Sequence, residues 1–154
     1  MMSKDMNISL LLCEKSDEQA RNIKNVFDTI SFTEGDNTIS YEILTIVNQL
    51  NQEEQDFSLL YFIEYCDEGQ DRPVLYLGRY VCKNNKQERN ATHLYRISRF
   101  IVENCTFPKN GTYEVKAFMI QEKIDVKEEC TSEMMKYMEK DKLVATCPLI
   151  VEFK

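Results

Sequence analysis

The sequence predicts an all-β fold: a single-domain antiparallel β-sandwich of about eight strands, Ig-like with a Greek-key flavour. Short segments alternate apolar and polar side chains with a period of two, and turn-forming clusters punctuate them. Eight Tyr, eight Phe and no Trp supply the rings that half-buried strands favour. The chain closes on two such strands. One follows the turn Pro108-Lys109-Asn110-Gly111, and the other runs from Leu143 to Phe153.

The first strand is read from Asn7 to Cys13, with apolar residues on both faces. Glu14 to Lys24 is polar and reads as a single helical turn capped by Asp17, or as a wide loop. Val26 to Phe32 alternates and is taken as one strand, ended by the turn Glu34-Gly35-Asp36-Asn37. Ile39 to Val47 puts Ile39, Tyr41, Ile43, Thr45 and Val47 on one face. Phe57 to Cys66 does the same with Phe57, Leu59, Tyr61, Ile63 and Tyr65.

An acidic turn from Asp67 to Arg72 leads to a strand from Val74 to Cys82, where Gly78 marks a bulge or a close backbone approach. Leu94 to Val102 fits both periods, and its β-branched and aromatic content favours a strand. Thr112 to Ile120 places Tyr113, Val115, Ala117 and Met119 on one face. In the last strand Pro148 cannot donate to a ladder, which points to an edge or a bulge. Residues 121–141 break the β pattern and form an inserted arm on the closing hairpin, with Thr131 as the cap of a short helix.

The 154 residues suit one domain, 1–154, that buries about 70% of its unfolded surface without staples. A net charge of −7 opposes general binding to nucleic acid or anionic membranes. No apolar run approaches 18 residues and no signal segment stands out, so the chain reads as cytoplasmic. The six cysteines contain no close pair and read as free thiols, with Cys82 and Cys147 in the core and Cys130 the most reactive.

The segment Asn22-Ile23-Lys24-Asn25-Val26-Phe27-Asp28-Thr29-Ile30 is similar to the start of a family of small uncharacterised bacterial proteins. Phe107-Pro108 through Gly111-Thr112-Tyr113, and Leu143-Val144-Ala145 through Pro148-Leu149, resemble that family's ending. The resemblance covers about two thirds of the chain in short pieces. It implies a compact bacterial β-sandwich and offers no catalytic residues to transfer.

Catalytic machinery is hard to find. The lone His93 has no nucleophile motif around it and reads as a strand-end residue. The scattered cysteines lack zinc spacing, and the four glycines build no phosphate cradle. The sharpest candidate is a Ca²⁺ site of loop carboxylates: Glu34 and Asp36 from one turn, with Asp67, Glu68 and Asp71 from another. No other cofactor is expected. Lys83, Lys86 and Arg89, with Arg96 and Arg99 beyond, make a basic loop read as solvated. Met134, Met135, Tyr137 and Met138 form an adaptable contact surface, or else cap an open edge of the sandwich. The leading expectation is a non-enzymatic binding or assembly module that meets a protein partner, or itself, through sheet edges or the arm. The alternatives are a ligand- or Ca²⁺-binding sandwich and a carboxylate-based enzyme.

Overall fold

A computed structural model describes residues 6–17, 22–50, 56–67, 73–83 and 93–154, with the side chains of 49, 50 and 93–95 left aside. Nine strands are present among them: β1 (Met6–Ser16), β2 (Ile23–Val26), β3 (Thr29–Phe32), β4 (Thr38–Leu50), β5 (Phe57–Tyr65), β6 (Val74–Cys82), β7 (His93–Thr106), β8 (Gly111–Ile120) and β9 (Leu143–Phe153). One short helix, α1 (Thr131–Met134), and two 3-10 turns lie between β8 and β9. The strands form a four-stranded sheet in the order β2-β1-β4-β7 and a five-stranded sheet in the order β3-β9-β8-β5-β6. The all-β sandwich expected from the alternation is therefore what the chain forms. Its pairings are antiparallel except for β3 on β9, which is parallel. Hairpins join β1 to β2, β5 to β6 and β8 to β9, and every other connection crosses between the sheets.

The alternation dictates the core. Tyr41, Ile43 and Val47 of β4 face Leu59, Tyr61 and Ile63 of β5 and Tyr113, Val115 and Ala117 of β8 in one cluster. Thr45 is fully buried in that layer, and its hydroxyl is bonded to the Tyr61 hydroxyl. Pairing those two hydroxyls removes the cost of burying either alone. Burial drives the Tyr61 phenol far above its ordinary range, so it stays neutral.

The outer face of the five-stranded sheet is apolar as well. Leu60 and Phe62 of β5 and Phe118 and Ile120 of β8 form a second cluster with Met134 and Tyr137 of the arm. The arm is thus the cover of this face. Thr131 does not cap α1, which has no side-chain cap. Its hydroxyl instead accepts the Tyr76 backbone N–H on the outermost strand β6, at 3.0 Å. The Tyr76 hydroxyl donates to Glu129, and Arg79 pairs with the same carboxylate at 3.4 Å. The arm therefore also occupies part of a sheet edge that would otherwise stand open.

Several element boundaries differ from expectation for visible reasons. The segment 26–32 is two strands, because the chain leaves one sheet after Val26 and joins the other at Thr29. Asn25, at φ 55°, makes the bend next to that crossing. Ser16 still belongs to β1, and Asp17 donates its N–H to Asn22, so this end is a hairpin; residues 18–21 lie outside the described set. Strand β7 runs on to Thr106 through an irregularity at 103–105, where Asn104 takes φ 53°. Gly78 is both things predicted of it. The β5–β6 register shifts beside it, and a Cβ there would collide with the Phe100 ring of the opposite sheet.

Pro148 sits in β9 between β3 and β8. Ile150 donates its N–H to Asp28 on the β3 side, and β3 pairing begins only at Thr29↔Ile150. Residue 148 shares that orientation, so its missing N–H faces the stretch that β3 does not reach. The strand is an edge for half its length, and the proline falls in that half.

Candidate functional site

The sandwich end near Asp67 gathers the loops that follow β3, β5 and β7. Strand β5 ends at Tyr65↔Tyr113, β8 begins at Gly111↔Val151, and β3 ends at Phe32↔Phe153. The two acidic turns do leave the same end. Their strand ends stand three strand spacings apart, about 14 Å. Glu34 and Asp36 are exposed, and Asp36 accepts the Thr33 hydroxyl at 3.2 Å in its own turn. Asp67 accepts the Thr112 N–H at 3.0 Å and the Tyr65 hydroxyl at 3.2 Å. Its carboxylate fastens β5 to the start of β8. Glu68 and Asp71 lie outside the described residues, and among the described residues no three Asp, Glu, Cys or His gather as a metal cluster.

An apolar cleft of about 330 Å³ opens at this end of the sandwich. Ile63 of β5, Pro73, Val74 and Leu75 at the start of β6, Thr106 and Phe107 at the end of β7, Pro108, and Tyr113 of β8 line it. The local sequence builds it rigidly. Phe107 is held by its N–H to Asn37, and its ring meets Tyr113 edge-on at 5.1 Å. Tyr113 in turn stacks edge-on against Tyr65 at 5.1 Å. The Tyr113 hydroxyl donates to the Lys109 carbonyl and accepts the Lys109 N–H, which closes the 107–112 loop. Burial raises the Tyr113 phenol above its ordinary range, so it remains a neutral donor. Lys109 places its ammonium 4.0 Å from the Tyr65 ring centroid. Among the described residues the lining is apolar save for the hydroxyls of Thr106 and Tyr113.

The other sequence candidates separate. Of the four arm residues read as a contact surface, Met134 is fully buried and Tyr137 is 8% exposed. Met138 packs beside them, and Met135 alone is well exposed. Met134 and Tyr137 turn inward onto Leu60 and Phe62, and Met135 is the one of the four that faces out. The basic residues also diverge. Arg96 reaches the Cys82 thiol at 3.5 Å on the inner side, whereas Arg99 donates to the Ser16 carbonyl at 3.0 Å. Successive odd and even positions of a strand face opposite ways, so the two do not share a patch. Lys86, Arg89 and the His93 side chain lie outside the described residues.

None of the six cysteines is joined in a disulfide. Cys13, Cys82 and Cys105 are buried, and Cys130, half-buried, has its Sγ 3.3 Å from the Ser132 hydroxyl. A feature the sequence did not reveal is Glu42, 6% exposed, which accepts both the N–H and the hydroxyl of Ser16 at 3.1 and 2.6 Å. The neighbouring Cys13 thiol is pushed up by burial and then by this carboxylate, so it stays protonated. The group pins the end of β1 to β4. The alternation at 39–47 gave no signal for it, because Glu42 sits where a solvated polar residue also fits.

No family model matches the chain, and no curated protein does. Among solved structures it is similar to a CARDB domain from Pyrococcus furiosus, crystallised in complex with di-metal ions. The identity is 12% and the TM-score 0.39, over 97% of this chain and 94% of that one. A likeness so distant does not bear on function, and the sandwich assignment stands on the two sheets and their registers. No helix among the described residues is long and apolar enough to cross a membrane.

Proposed function

We propose that this chain is a non-enzymatic binding module and that its contact site is the cleft at the Asp67 end of the sandwich. The observation that carries the reading is the lining itself: about 330 Å³ bounded by Ile63, Leu75, Phe107 and Tyr113 between two prolines, with Thr106 as the hydroxyl. Pockets of this size and character hold small apolar molecules or the apolar side chain of a partner. The loops at the end of a sandwich are also where a rigid scaffold best presents such a site. The arm is a poorer contact, because Met134, Tyr137 and Met138 pack into the chain's own second cluster.

The neutral fluorescent probe N-phenyl-1-naphthylamine tests the site cleanly, since the chain has no Trp to interfere. Its emission is expected to rise saturably with the wild-type protein. Leu75 is 42% exposed at the rim, so its replacement is expected to leave the fold intact. In L75D the carboxylate enters an apolar lining, and probe affinity is expected to fall about tenfold or more. Equal binding by the two proteins would place the probe elsewhere and overturn the assignment.

A further inference from the structure

A second cleft, of about 270 Å³, opens where the chain crosses from one sheet to the other. Strand β2 is outermost in the four-stranded sheet and β3 in the five-stranded one, and Phe27 and Asp28 join them. Glu14 of β1, Asn25 of β2 and Ile39 of β4 line the cleft from one sheet. Thr29, Ile30 and Ser31 of β3 line it from the other, with Phe27 between.

The alternation of β1 turns a carboxylate inward at this place. Leu12 belongs to the main core and Cys13 to the cluster on the outer face, so Glu14 points the way Leu12 does. Asn25, in the bend at φ 55°, donates its side-chain amide to Glu14 Oε2 and so positions the carboxylate. A carboxylate has about four lone-pair sites, and Oε1 can accept from a ligand. On β3 the carbonyls of Asp28 and Phe32 accept N–H groups of β9. The ladder therefore takes the even-numbered backbone groups, and the carbonyls of Thr29 and Ser31 face the open side. Phe27 supplies a ring that is held edge-on against Tyr41 at 6.0 Å, and Ile30 and Ile39 supply apolar wall.

The charges around the cleft have one sign. Lys15 and Lys24 are cross-strand partners in the register that pairs Cys13 with Val26, which puts them on the outer face. Asp28 and Glu152, bonded to the Thr29 and Ser31 hydroxyls, flank β3 instead. A fixed carboxylate, outward carbonyls and a ring beside apolar wall are together the complement of a cation that carries carbon.

We propose that this cleft binds a small organic cation, a primary ammonium on a short alkyl chain. Its nitrogen donates to Glu14 Oε1, and its chain lies along Phe27, Ile30 and Ile39. One lining carboxylate is too few for Ca²⁺, which takes 6–8 oxygens, and the apolar wall favours an alkylammonium over a bare monovalent ion.

The test is a chemical-shift titration of the isotope-labelled full chain with n-pentylammonium chloride. Saturable shifts are expected at the amides of Glu14, Asn25, Phe27 and Thr29–Ser31. The neutral isostere 1-pentanol is expected to bind about tenfold more weakly or less. E14Q keeps an acceptor for Asn25 and removes the charge, and it is expected to weaken pentylammonium binding about tenfold. E133Q removes the same charge from the exposed side of α1 and is expected to leave binding unchanged. Should E14Q fail to fold, the comparison of pentylammonium with pentanol on the wild type decides the matter. Pentanol binding as tightly as pentylammonium, equal losses in E14Q and E133Q, or saturable shifts only at other residues would each overturn the proposal.

Discussion

Replacing Gly78 with alanine is expected to lower the stability of the protein by about 2–4 kcal/mol. Two costs combine. Gly78 holds φ 144°, where an L residue is strained, which accounts for about 1–3 kcal/mol. A methyl group there also collides with the Phe100 ring, and Phe100 is stacked on Tyr61 at 5.0 Å and cannot simply swing away. Overpacking of this kind costs about 1–3 kcal/mol. In a chain of this length the melting temperature should drop by about 5–15 °C.

Gly35 provides the control. It has φ 89° with nothing near its missing side chain, so Gly35→Ala carries backbone strain alone. That variant is expected to lose about 1–2 kcal/mol. Pairing Gly78→Ala with Phe100→Leu should recover part of the loss, because the ring is one of the two causes. Equal melting temperatures for the Gly35 and Gly78 variants would mean that the two sheets do not approach as described at this point.

Met134→Ala is expected to cost about 2–4 kcal/mol, the range for emptying a fully buried methionine. The loss has a particular consequence. Met134 and Tyr137 are the arm's buried anchors on Leu60, Phe62, Phe118 and Ile120. Removing one should loosen the arm before the main core melts, and trypsin should then cut sooner at Lys136, Lys140 or Lys142. Met135, next in sequence and 46% exposed, is expected to change stability by about 0.5 kcal/mol or less on truncation to alanine. Thermal melts and limited proteolysis of the two variants side by side measure the contrast. Similar behaviour of both would remove the anchoring role of Met134.

The contrast between Met134 and Met135 also shows where the sequence was legible. The strand segments were readable because one face of each sheet is buried in a common core. Phe57, Leu59, Tyr61, Ile63 and Tyr65 do share that face, as do Tyr113, Val115, Ala117 and Met119. The second core was written there too: Leu60, Phe62, Phe118 and Ile120 are apolar on the side that a one-sided sheet would leave polar. Their cover could not be located, because the arm carries too few residues in regular structure for a periodicity to orient its side chains.

The break at Phe27-Asp28 was hidden for a different reason. Alternation continues through 26–32 in sequence although the two halves belong to different sheets and the facing reverses between them: Phe27 packs inward beside an exposed Val26, whereas Ile30 and Phe32, in phase with Val26, are buried. The cleft was invisible for the same class of reason. Ile63, Leu75, Phe107 and Tyr113 each read as ordinary strand or turn residues, and only the crossing from β7 to β8 beside the β5–β6 hairpin brings them together. Asp67 did read as a site residue, but its carboxylate serves the backbone of Thr112 and the Tyr65 hydroxyl.

The placement of the arm decides which surfaces remain for a partner, so its seating is the point on which the account turns. Methyl-labelled methionine NMR addresses it directly. The Met134 methyl group is expected to show cross-relaxation to ring protons of Phe62, Phe118 or Tyr137 and a ring-shifted resonance, while the Met135 methyl group shows neither. A Met134 methyl resonance at the position of a solvated side chain, without contacts to those rings, would contradict the arm's role as the cover of the five-stranded sheet.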